Sequence, residues 1–107
     1  MNQAKATAIV QSLRQELARI LGERLDRVYL FGSCARGDQR PDSDVDVLVV
    51  VRGPFDYGEL IERTSEVVSE LSLKYDTVIS RVFVSKERFE REQSPFLMNV
   101  RREAVAL

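Results

Sequence analysis

The chain has 107 residues, 44% hydrophobic and 31% charged, which is one globular domain's worth of sequence, residues 1–107, with a single core. Sixteen Lys and Arg against 17 Asp and Glu leave a net charge of -1, so no global positive field recruits a nucleic-acid backbone, and direct nucleic-acid binding is not expected. With no histidine and one cysteine, a Ser-His-Asp triad, the usual zinc sites and an internal disulfide are excluded, and any chemistry must run on carboxylates, hydroxyls and a bound metal.

The opening MNQAKATAIV lacks the charged-then-apolar order of a secretory signal, and no apolar run approaches the roughly 20 residues of a membrane-spanning helix. The expectation is a cytoplasmic protein with no membrane association. Over residues 4–21, Ile9, Val10, Leu13, Leu17, Ile20 and Leu21 recur at three- and four-residue intervals, which predicts an amphipathic helix that Gly22 stops. RVYLF at residues 27–31 and DVDVLVVV at residues 44–51 read as the two central strands. The second ends in an unbroken valine run, as a strand buried on both faces does. Asp56 and Glu59 have capping-box spacing and open a second helix with the stripe Leu60, Val67, Val68 and Leu71. Residues 76–84, DTVISRVFV, alternate as a third strand. Ser85 caps a third helical segment to about residue 92, and Ser94-Pro95 starts a last short helix through Arg102. Helix, strand, strand, helix, strand, helix, helix make a compact α/β (α+β) unit, a small mixed sheet flanked by helices.

The chemistry concentrates between the first two strands, in LFGSCARGDQRPDSDVDVLVV, residues 30–50. Gly32 lets the backbone approach another group closely, and the N–H groups and hydroxyl around Gly32-Ser33 suit phosphate oxygens, such as those of a triphosphate. Asp44 and Asp46, two apart in a strand, project from one face at its mouth. Magnesium commonly takes a pair of carboxylates plus substrate phosphates, so the two halves would make one site. Gly-Ser alone is an ordinary turn, and so is Pro41-Asp42-Ser43-Asp44. Asp46 is not ordinary, because a charge one step inside a valine-rich strand is costly unless paired or coordinating a metal. Elsewhere, Tyr29, Phe31, Phe83, Phe89 and Phe96 are assigned to the core rather than to a base-stacking platform. The charged run of residues 86–92 reads as a solvated helix face, and Arg101 and Arg102 as a candidate local basic patch.

Gly32-Ser33-x-Ala35-Arg36-Gly37 followed by Ser43-Asp44-Val45-Asp46-Val47 resembles the GSxARG…SDxD signature of the polymerase-β-type nucleotidyltransferases, in particular the minimal single-domain members. The closing PFLMNVRREAVAL is similar to the tail of these proteins, with Ala104 where glycine is frequent, so the resemblance covers almost the whole length. It implies that Gly32 and Ser33 hold the nucleotide's phosphates, that Arg36 faces them or braces the loop, and that Asp44 and Asp46 ligate two magnesium ions. A third carboxylate on the next strand would ligate one metal and accept the proton of the attacking hydroxyl; Asp76 is the candidate. Cys34, at the signature's variable position, reads as a small buried side chain rather than a nucleophile. The resemblance further implies transfer of AMP from ATP to a tyrosine of a cognate HEPN ribonuclease toxin, the chain acting as antitoxin, with homo- or hetero-oligomers open. The alternative is an inactive antitoxin that neutralises its toxin by binding alone. A transferase acting on a small molecule such as an aminoglycoside ranks behind both, for want of an acceptor domain.

Overall fold

Asn2 accepts a hydrogen bond from the Lys5 N–H at 2.7 Å and so starts α1 (Gln3–Leu21), whose Ile9, Val10, Leu13 and Leu17 are fully buried. The computed structural model describes residues 2–37 and 44–107; the Pro41-Asp42-Ser43 turn, with Ser43 of the signature, lies outside the described residues. Helix α1 ends at Gly22, in a backbone conformation with φ 57°, and a 3-10 turn (Gly22–Arg24) leads into β1 (Leu25–Phe31). There follow α2 (Ser33–Arg36), β2 (Val45–Val51), α3 (Tyr57–Tyr75), β3 (Ile79–Ser85), α4 (Lys86–Arg91), α5 (Pro95–Glu103) and β4 (Val105–Ala106). The caps anticipated from sequence form: Asp56 accepts from Glu59 N–H, Ser85 from Arg88 N–H and Ser94 from Leu97 N–H.

The sheet runs β3-β2-β1-β4, with β1 antiparallel to both β2 and β4 and β2 parallel to β3. This is a mixed α+β architecture, as expected, and β1 and β2 are indeed central. Alternation along β2 sorts two faces. Val45, Val47, Val49 and Val51 join the main core with α1 and α3, while Leu48 and Val50 join a second cluster containing Leu97 and Val100 of α5. Every one of these valines is fully buried, because helices cover both sides of the strand. Thr64 is the one polar residue buried in α3's stripe; its hydroxyl donates to Leu60 O at 2.8 Å and accepts from Arg81 Nε at 2.7 Å.

Three short elements, the 3-10 turn, α2 and β4, escape the sequence reading. Four residues of α2 are too few to display a helical period, and the two-residue β4 exists through its distant pairing with Tyr29 and Leu30. The third strand begins at Ile79 rather than at residue 76. Asp76 and Thr77 still close α3: their N–H groups donate to Leu73 O and Ser72 O, with Asp76 left-handed at φ 51° and ψ 53°, the arrangement of a Schellman cap.

Candidate active site

Where β1 ends, Gly32 turns the chain with φ 76° and ψ -157°, a region essentially restricted to glycine. Its carbonyl accepts from the N–H groups of Ala35 and Arg36 at 3.1 and 3.2 Å, which winds α2, and Gly37 closes the turn at φ 81°. The amide N–H groups of Ser33 and Cys34, at the start of that turn, precede the first intrahelical acceptor. Gln3 Nε2 donates to Ala35 O at 3.0 Å and fastens the turn to the start of α1. Cys34 is fully buried and its thiol donates to Asp44 O at 3.4 Å. Burial, and then the charge of Asp46, push the Cys34 thiol pKa up, so it stays protonated and packs, as the sequence suggests.

Asp46 shares the sheet face of Leu48 and Val50 and is half-buried. A Cβ placed on Gly32 would lie 2.4 Å from Asp46 Oδ2, so the carboxylate rests directly against the glycine. Burial raises the Asp46 pKa, the charge of Asp44 raises it further, and Arg36 opposes both. Asp44 is exposed, just before β2 on the same parity. Two neighbouring carboxylates beside a glycine turn are the kind of hard oxygen donor set that magnesium takes when substrate phosphates supply the remaining ligands.

Asp76 does not join them. It caps α3 outside β3, and among the described residues no three Asp, Glu or Cys side chains gather into a group that could hold a metal. The register shows what stands on β3 instead: Asp46 is flanked by Phe31 of β1 and by Ser80 of β3, so one row across the sheet reads Phe31, Asp46, Ser80. The position lateral to Asp46 is a hydroxyl rather than a carboxylate.

Arg36 Nη1 lies 3.5 Å from Glu103 Oε2, joining the turn to the end of α5. Between them a cavity of about 220 Å³ is lined by Phe31, Gly32 and Arg36 on one side and by Phe96, Asn99 and Glu103 on the other. Phe96 is therefore not core, contrary to the sequence reading; it is 44% exposed. The spacing 96, 99, 103 puts these three on one helix face, a signal that the sequence reading passed over. Arg101 is also reassigned: its guanidinium donates to Phe89 O and, at 2.6 Å, to Glu92 O, tying α5 to α4. Arg102 reaches Asn99 Oδ1 at 2.8 Å.

Residues 10–105 match the nucleotidyltransferase domain family. The chain belongs to the polymerase-β-type minimal nucleotidyltransferases. A Methanocaldococcus jannaschii chain provisionally named a protein adenylyltransferase is 41% identical over 78 residues, which is 73% of this chain and 78% of that one. The structure of a minimal nucleotidyltransferase, so named provisionally, superimposes with a TM-score of 0.65 at 29% identity, covering 100% of this chain and 97% of that one. A chain in a complex of tri-AMPylated Shewanella oneidensis HEPN toxin with its MNT antitoxin superimposes at 0.55 and 21% identity, over 99% of this nucleotidyltransferase and 71% of that chain. This last likeness is one of fold.

Proposed function

We propose that this nucleotidyltransferase moves AMP from ATP onto a hydroxyl of a partner protein, a tyrosine of a cognate HEPN toxin, and so acts as an antitoxin. The observation that carries the reading is the contact between Gly32 and Asp46: phosphate holder and carboxylate pair touch, with Asp44 adjoining. The turn at Gly32-Ser33 would hold the triphosphate, and Asp44 and Asp46 would hold magnesium. Bound there, the metal would offset phosphate charge and polarise the α-phosphorus. The acceptor oxygen bonds to that phosphorus as the bond to the β-phosphate oxygen breaks, pyrophosphate leaves, and the hydroxyl proton passes to solvent. Ser80 beside Asp46 supplies no carboxylate base. A phenol, with a pKa near ~10, gives up its proton far more readily than an aliphatic alcohol, which supports tyrosine as the acceptor. The AMPylated toxin in the Shewanella oneidensis complex supports the same class of product.

The two-carboxylate site also favours a second reading, neutralisation by binding alone. The test is incubation with magnesium and labelled ATP, with and without the product of the neighbouring gene as candidate partner, followed by mass spectrometry of that partner. Covalent AMP on a tyrosine, lost with Asp46→Asn while the complex still forms, is expected. An unmodified yet silenced toxin would refute transfer and leave the binding reading.

A further inference from the structure

The cavity beside the turn has a chemistry of its own. It shares Gly32 and Arg36 with the turn, and Phe31, in its wall, is the lateral neighbour of Asp46. A ligand whose phosphates sit at Gly32-Ser33 therefore has its next portion at the cavity's mouth. Most of the lining surface is apolar. Phe31 and Phe96 meet edge to face, with ring centroids 5.5 Å apart and planes at 85°, leaving aromatic surface for a planar ring to pack on. Phe96 is 44% exposed, an unsatisfied position for an aromatic residue beside a hollow. The rim is polar and held in place. Arg102 donates to Asn99 Oδ1 at 2.8 Å, which directs the Asn99 Nδ2 hydrogens elsewhere as donors. Arg36 and Arg102 both approach Glu103, at 3.5 and 3.7 Å. These two guanidinium groups offset the Glu103 charge, so what the cavity itself presents to a ligand is aromatic surface and an amide edge. An apolar pocket with a few convergent polar groups is the usual form of a small-molecule subsite.

We propose that this cavity seats the nucleobase, with Phe96 as its stacking surface and Asn99 as a hydrogen-bond donor to its edge. The proposal rests on the reading that the Gly32-Ser33 turn binds a nucleoside triphosphate. Two probes in the presence of magnesium separate the two ideas: AMP-PNP, which carries a base, and tripolyphosphate, which does not. Phe96→Ala and Asn99→Leu should each weaken AMP-PNP binding on the order of tenfold, the scale of one lost base contact, and leave tripolyphosphate binding unchanged. Asn99→Leu should also narrow the preference between AMP-PNP and GMP-PNP. Met98→Ala, on an exposed neighbour outside the cavity lining, should alter neither probe. Unchanged AMP-PNP binding in both cavity variants overturns the base assignment while the nucleotide reading stands, and transfer to the partner lost at that unchanged affinity would hand the cavity to the acceptor side chain. Equal weakening of both probes overturns it too, since the cavity would then be acting through the turn. Wild-type chain that binds neither probe overturns the nucleotide reading itself.

Discussion

Gly32→Ala probes the point where the Gly32-Ser33 turn and the Asp46 carboxylate touch. Two costs follow from the structure. At φ 76° and ψ -157° the backbone is in a region that alanine enters at about 1–3 kcal/mol. In addition, the new methyl would stand 2.4 Å from Asp46 Oδ2, so reaching ordinary contact at 3.4 Å requires about 1 Å of carboxylate movement. The first cost appears in folding: about 2 kcal/mol corresponds to a drop of roughly 10 °C in Tm for a domain of this size. The second appears in function, where a 1 Å misplacement costs on the order of 100-fold in rate. Gly37→Ala is the control, because Gly37 is also left-handed, at φ 81°, but no described atom lies within 4 Å of its added Cβ. Thermal melts, AMP-PNP titrations in magnesium and the rate of AMP transfer to the partner, measured on both variants, read the two costs apart. Gly37→Ala should lose stability and keep affinity; Gly32→Ala should lose both. If Gly32→Ala binds nucleotide as Gly37→Ala does, the Asp46 carboxylate is not part of the nucleotide site and the reasoning fails.

Folding raises the Asp46 pKa through burial and Asp44, so the ligand-free chain loses stability as pH climbs from the ordinary carboxylate range through that raised value. Asp46→Asn should therefore melt above wild type at neutral pH and converge with it in acid, and magnesium with AMP-PNP should raise the melting temperature of the wild type but not of this variant. Asp76→Asn should transfer AMP at the wild-type rate in the mass assay, because asparagine tolerates the left-handed cap and the residue lies outside the Phe31-Asp46-Ser80 row. Thr64→Val should cost about 1–3 kcal/mol in urea unfolding, since it strips a buried acceptor from Arg81 Nε, whereas Thr64→Ser should cost less.

What the sequence discloses and what it withholds follow from the range of the interactions. Helix α1, the caps at Asp56, Ser85 and Ser94, and the valine strand are local patterns, set by residues within a few positions of one another, and they form where the pattern places them. The candidate site lies in one short stretch of sequence, and the structure brings Gly32 and Asp46 of that stretch into contact. Asp76 is the one carboxylate in or beside residues 76–84 in sequence, and in the structure it stands on the cap of α3 rather than on β3. Strand register, set by the pairing of β2 with β3, puts Ser80 beside Asp46 and leaves Asp76 at a helix end. Phe96 misleads in the other direction. It is grouped with the other aromatics as core, but on α5 it is Leu97 and Val100 that are buried in the sheet-side cluster, while Phe96 is left partly exposed in the lining of the cavity that α5 forms with the turn.

The costs in this fold gather at the proposed site. Gly32 is held in a glycine-only conformation, Asp46 is half-buried against a like charge, and Phe96 is left partly exposed, all at the end of the sheet where β1 hands over to β2. Each is unfavourable in the ligand-free chain. Each would also be relieved by one kind of ligand: phosphates that accept from the turn, a cation that neutralises the carboxylates, and a flat ring that covers the aromatic surface. A magnesium nucleotide has all three parts, in the order the site presents them. The opposing reserve lies at the other end of the same strand, where Val47 to Val51 are sealed between helices. That rigid stretch fixes the register of Asp46 against Phe31 and Ser80, so the strained turn has a firm partner to press against.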